Sequence, residues 1–220
     1  CYGHPCLFQR NSATQQAVRK SVTHIHVRAI NLSSQRGILQ AGGLRVPCSL
    51  GRSGRKHAKR EGDGATPMGI WQLRRIFYRA DRVVPPRTWK SPRPLRPDDG
   101  WCETPGDRNY NRLVRMPYVA SHETMQRDDD LYDIVVELSH NERPRVQGHG
   151  SAVFFHLRRP DGGPTAGCIA VSLRDMKTIL ALCGRNAVSC TVLFGRKSFG
   201  VVKLDSQLGG DHLCQQGSAG

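Results

Sequence analysis

The sequence predicts a mainly β domain with a single helix. Three observations lead there: short segments in which apolar and polar residues alternate, glycine turns between them, and only one stretch with helical spacing. In "THIHVRAI", Ile25, Val27 and Ala29 alternate as in a half-buried strand. "GILQAGGLRVPCSLG" holds two runs around Gly42-Gly43, a hairpin signal, with Pro47 pointing to a sheet edge or a bulge. The basic, glycine-rich "GRSGRKHAKREGDGATPMG" reads as a loop, and "IWQLRRIFYRA" as the next strand. Residues 84–118 hold most of the prolines and predict a long irregular excursion, of the kind that lines a site.

"LYDIVVEL" turns Tyr132, Ile134, Val136 and Leu138 to one side, and "SAVFFH" is apolar on both faces, as a central strand requires. After "CIAV" the period changes. Ser172 caps a helix with Asp175 three residues on, and Leu173, Met176, Ile179, Leu180 and Cys183 make its apolar face before Gly184 closes it. "AVSCTVLF" and "SFGVVKL" are the last strand signals. The expected organisation is a polar tail over 1–22, one domain over 23–195 and a second tail over 196–220.

Lysine and arginine number 33 against 18 acidic residues, a formal charge of +15. Such a field favours anionic partners: nucleic acid, acidic lipid or a carboxylate-rich cell wall. No aromatic-and-basic RNA-binding signature or helix-turn-helix pattern accompanies the charge, which argues against nucleic acid. No apolar run is long enough to span a membrane, and no secretory leader is legible at Cys1. The eight cysteines contain no CxxC pair and no zinc spacing, so neither a redox motif nor a structural metal is expected. His149, His156 and Cys168 lack an apparent fourth ligand, so no metal and no cofactor is expected.

One pair carries chemistry. His156 ends one strand-like segment and Cys168 begins the next, with "LRRPDGGPTAG" between them. A cysteine attacks carbonyls as its thiolate, so it needs a base or a lowered pKa. If the two strands are neighbours, ring and thiol share one end of the sheet. Gly167 leaves room for a carbonyl beside the sulfur, and the Gly167 and Cys168 amides can face a developing oxyanion. An inert core cysteine and a structural histidine remain the plain alternative.

"GSAVFFH" followed by "PTAGCIAV" resembles the signature of the L,D-transpeptidase catalytic domain, the YkuD family: a strand ending in His, a variable loop, then Ser/Thr-X-Gly-Cys-Ile/Val. "REGDGATPMGIWQL" resembles the family's Thr-Pro-x-Gly segment, and "DDGWCETPGDRNYNRLV", "MPYVASHETM" and "DLYDIVVELSHNERP" resemble a compact proteobacterial branch. Two departures stand out: Ala166 occupies the place where histidine is commonest, and the loop from His156 to Cys168 is short.

The resemblance implies a β-sandwich of mixed sheets with one helix after the cysteine. It implies acyl transfer between peptidoglycan stem peptides, with Cys168 as nucleophile, His156 as base oriented by the Leu157 carbonyl, and Gly167 beside them. The product would be a 3→3 or 1→3 cross-link, or with water as acceptor a trimmed stem. It points to Arg158, Tyr110, Asn111, His122 and Tyr132 as substrate-binding candidates, with Glu123 and Arg159 near them. Carbapenem-type β-lactams are the implied covalent inhibitors, the periplasm or cell envelope the implied location, and a monomer the implied state. A non-catalytic wall-binding module is the competing reading. Cys48 and Cys102 are compatible with a disulfide or with two free thiols.

Overall fold

Fourteen strands and one helix make up the described residues, 21–184 and 189–194, of the computed structural model. In chain order they are β1 (His24–Ala29), β2 (Arg36–Ala41), β3 (Leu44–Ser49), β4 (Arg55–Lys56), β5 (Thr66–Pro67), β6 (Gly69–Tyr78), β7 (Arg93–Pro94), β8 (Asp99–Cys102), β9 (Arg112–Arg115), β10 (His122–Thr124), β11 (Ile134–Leu138), β12 (Phe154–Leu157), β13 (Ile169–Val171), α1 (Leu173–Leu182) and β14 (Ser189–Phe194). The class is mainly β with mixed sheets and one helix following Cys168 after β13, as expected. Residues 1–20 and 195–220, which include the "SFGVVKL" strand signal and nearly all of both tails, lie outside the described residues.

The nine-stranded sheet runs β11-β12-β13-β3-β2-β1-β14-β6-β7, and β11 pairs again with β6. That second pairing returns the sheet on itself. It is possible because β6 is ten residues long: Gly69–Gln72 pair with β14, and Leu73–Tyr78 pair with β11. The predicted hairpin joins β2 to β3 through Gly42, whose φ of 60° is one that glycine adopts without steric cost. Pro47 costs no ladder bond, because the far edge of β3 meets β13 only at Ser49. Arg55 is buried and donates to the carbonyls of Ala29, Asn31 and Leu193, tying the ends of β1 and β14.

Alternation along the strands produces two cores rather than one. Ile76, Tyr78, Ile134, Val136, Leu138, Phe155 and Leu157 enter the main core with the helix residues Met176, Ile179 and Leu180. Their neighbours Phe77, Val135 and Phe154 point the other way, into a second cluster with Leu95, Trp101, Met125, Leu131, Tyr132 and Cys168. A strand apolar on both faces needs cover on both. The chain between β6 and β11 supplies the second cover. The excursion expected over 84–118 is irregular for much of its length but contains β8 and β9, which with β10 beyond it form a three-stranded sheet, β10-β8-β9. Strands of three and four residues are too short to show a period, and tertiary contact sustains them: Trp101 packs edge-on to Phe154 with ring centroids 5.0 Å apart.

The helix begins as predicted. The Asp175 amide donates to Ser172 Oγ at 3.1 Å, and that hydroxyl donates to Asp175 Oδ2 at 2.7 Å. Its other end differs. Cys183 leaves in an extended conformation and bridges to Val22, so closure uses β pairing rather than a left-handed Gly184. Leu173 is 37% exposed and stands outside the apolar face assigned to it. Among the described residues all five cysteines are free and buried, Cys48 and Cys102 included, so these two are not bridged. No helix among them is long and apolar enough to cross a membrane.

Phe154 is fully buried between Trp101 and Tyr132. Phe154→Ala should therefore lower unfolding free energy by about 3–5 kcal/mol, read as a fall in the urea midpoint; an unchanged midpoint would mean the second core contributes little.

Candidate active site

β12 and β13 run parallel, with Phe155 opposite Ile169 and His156 opposite Ala170. Continuing that register back by one residue sets Cys168 beside Phe154. Side chains two apart on a strand share a face, so Cys168 and His156 look out on the same side of the sheet. Ala170, small and opposite the imidazole, leaves space between them. Both candidates border one cavity of about 270 Å³ that also meets Lys59, Arg127, Tyr132 and Arg159.

His156 is 6% exposed, and its Nδ1 lies 2.8 Å from the Leu157 carbonyl oxygen. A carbonyl only accepts, so Nδ1 carries the proton and Nε2 presents its lone pair. This is the contact the resemblance implied. Tyr132 meets the ring at an angle of 68°, centroids 5.3 Å apart, and donates its hydroxyl to Glu123 Oε1 at 2.6 Å. Arg127 stacks over Tyr132 and grips Asp129 through two nitrogens, with Glu123 at 3.4 Å. Burial brings the imidazole down to about 4 against the pull of the Leu157 bond, and the Arg127 charge lowers it further.

Cys168 is 7% exposed. Its sulfur accepts from the Phe154 amide and its thiol donates to the Ala152 carbonyl, both at 3.3 Å. Burial pushes the thiol up to about 12, and the nearby Glu123 carboxylate adds to the rise. The resting pair is thus a thiol and a neutral imidazole, and the thiol proton rests on a backbone carbonyl rather than on the ring. Ala152 has a φ of 49°, a left-handed conformation uncommon for alanine. Its amide donates to Asn111 Oδ1 at 3.2 Å, and the Asn111 amide group donates to the His140 and Asn141 carbonyls at 3.1 and 3.0 Å. Next to it, the Tyr110 hydroxyl accepts from the Gly150 amide at 3.1 Å and donates to Glu61 Oε2.

The sequence-selected residues therefore divide. Cys168, His156, Gly167 and Tyr132 border the cavity. Tyr110 and Asn111 do not; they brace the segment from Gly150 to Ala152 that holds the thiol. His122 bonds the Ala120 carbonyl and packs edge-on to Tyr118, away from the cavity. Arg159 borders the cavity and Arg158 does not; alternation continued from His156 would give the reverse, but β12 ends at Leu157 and the chain has left the strand there. Gly167 has a φ of 141°, and its amide already donates to Thr165 Oγ1 at 3.1 Å, so it does not face the cavity as a free donor. Sequence reading missed Lys59, Thr165, Ala152 and Arg127. Lys59 left a signal in the Asp four residues later, and Thr165 in its place at the Ser/Thr position before Gly167-Cys168.

His140 is a second buried imidazole, edge-on to Trp71 and brought down to about 4 chiefly by burial. For both histidines the unfolded chain, with its pKa near 6.5, binds a proton that the fold refuses. Stability is complete above that value and falls as pH drops toward 4, by about 1.4 kcal/mol per pH unit for each ring. The raised Glu123 and Asp133 carboxyls act in the opposite sense. Comparing urea midpoints of wild type and His140→Gln across this range isolates one ring: the variant should lose about 1.4 kcal/mol per unit of pH slope, and equal slopes would refute a buried neutral His140.

The family model of the L,D-transpeptidase catalytic domain matches residues 26–192. No curated protein matches. Among solved structures, the helical cell shape determining protein Pgp2 from Campylobacter jejuni is similar at 14% identity and a TM-score of 0.39, over 79% of this chain and 48% of that one. The chain spans about half the length of that structure.

Proposed function

The chain belongs to the L,D-transpeptidase catalytic domain family, and from that premise we propose that it transfers acyl groups between peptidoglycan stem peptides through a thioester at Cys168. The supporting observation is the shared face of β12 and β13, where the Cys168 thiol and the free Nε2 of His156 meet one cavity while Leu157 holds the other ring nitrogen.

The thiol leaves the Ala152 carbonyl and gives its proton to His156 Nε2. The thiolate adds to the donor carbonyl carbon, and the carbonyl π pair moves onto oxygen. Collapse re-forms the double bond and expels an amine, which takes the proton from Nε2. An acceptor amine then attacks the thioester and passes its proton to Nε2, and the thiolate that leaves recovers that proton. With a stem amine as acceptor the product is a 3→3 or 1→3 cross-link; with water it is a shortened stem. Because the resting pair is uncharged, reaction waits for a substrate that displaces the thiol from Ala152. Acting on wall peptides puts the protein in the periplasm or cell envelope.

A carbapenem should acylate Cys168 alone, seen as one added drug mass that disappears in Cys168→Ala; an adduct persisting on that variant would falsify the assignment. His156→Ala should slow acylation about 100- to 10,000-fold with its circular dichroism intact, and a normal rate there would mean another base serves. Incubation with purified muropeptides separates the outcomes: linked dimers identify a transpeptidase, shortened monomers a carboxypeptidase, and no change of mass in either leaves only a binding module.

A further inference from the structure

Lys59 stands in the loop between β4 and β5, and its side chain is only 5% exposed. Its ammonium donates to Asp63 Oδ1 at 2.5 Å and to the Arg60 carbonyl at 3.0 Å. An ammonium has three N–H donors, so one is left without a protein acceptor among the described residues, where an unmet charged donor is costly. Asp63 is itself fixed, accepting from the amides of Arg60 and Ala65 at 3.0 and 2.9 Å, so the ammonium is held in place before any substrate arrives.

Lys59 also lines the cavity of Cys168 and His156. A Cβ on Gly167 would lie 3.5 Å from Lys59 Nζ and 2.9 Å from the Ala65 carbonyl oxygen. The missing side chain of Gly167 thus keeps open the path from the ammonium to the backbone beside the sulfur. The Gly167 amide, one of the two expected oxyanion donors beside that of Cys168, is occupied by Thr165 Oγ1.

We propose that the Lys59 ammonium is the charged donor that receives the oxyanion of the tetrahedral intermediate at Cys168. The inference rests on the acyl-transfer reading and deepens it. As the thiolate adds, the electron pair driven onto the carbonyl oxygen accepts the third Lys59 N–H; as the double bond re-forms, that bond is released. Lys59 neither gives nor takes a proton. Asp63 positions it, and the Lys59 charge also lowers the cost of the thiolate, opposing the effect of burial on the thiol. A charged donor beside buried groups acts more strongly than a neutral amide.

Lys59→Met would strand the Asp63 carboxylate, so the test pairs it with Lys59→Met/Asp63→Asn, which removes both charges, and with Lys59→Arg, which keeps the positive one. Melting curves and near-ultraviolet circular dichroism check the fold. Carbapenem acylation of Cys168 should slow about 10- to 1000-fold in the double variant and recover in part in Lys59→Arg. A second readout is independent of acyl transfer: the rate of Cys168 alkylation by anionic iodoacetate relative to neutral iodoacetamide should fall several-fold in the double variant. A folded double variant that acylates at the wild-type rate with an unchanged reagent ratio overturns the role of Lys59 alone. A wild-type protein that the carbapenem leaves unmodified overturns the acyl-transfer reading and this inference with it.

Discussion

The parallel pairing of β12 with β13 is the constraint on which the rest depends. Its register places Cys168 beside Phe154 and Ala170 beside His156. A slip of one residue would turn the sulfur and the ring to opposite faces. That slip is opposed from the other side of the sheet, where Phe155, Leu157, Ile169 and Val171 are buried in the main core. The chemistry on one face is therefore held in register by hydrophobic packing on the other.

Burial has two effects at the site. It gives the strands the packing that fixes their positions, and it withdraws charge from both reactive groups, raising the thiol and lowering the imidazole. Three polar groups at the site are paired: the thiol with Ala152, one ring nitrogen with Leu157, and the Cys168 carbonyl with Thr165 Oγ1 at 2.7 Å. Ala152 sits in a strained conformation that the Asn111 side chain supports, and left-handed alanine costs of order 1 kcal/mol. Such strain persists where surrounding structure over-determines it, and here it aims one carbonyl at one thiol.

The net charge of +15 belongs to the whole chain and did not identify the site. Two cations that line the cavity are held by anions: Lys59 is locked to Asp63, and Arg127 to Asp129 with Glu123 nearby. What matters there is where each charge is held, since a buried ion such as Lys59 acts on its neighbours far more than a solvated surface arginine does.

Much of the fold was legible because the elements that make the main core follow simple periods: Ile25, Val27 and Ala29 in β1, the Gly42 hairpin, the Ser172 cap and its helix. The candidate nucleophile and its base were legible because a thiol and an imidazole at strand ends with a glycine between are local features. The three-stranded sheet between β6 and β11 was not, since its strands are too short for a period and pack where Phe77, Val135 and Phe154 require cover. Tyr110, Asn111, His122 and Arg158 were chosen as candidates for the cavity, yet whether a polar side chain lines it or braces a neighbour depends on contacts far along the chain. Lys59 is the converse case, a basic residue in a glycine-rich loop that reads as solvent-facing. Alone, the sequence determined the strand-forming segments, the helix start and the Cys–His pair, because propensity and spacing act over a few residues. Tertiary structure alone decided which charges enter the cavity, because burial and charge pairing join residues as distant as Lys59 and Cys168.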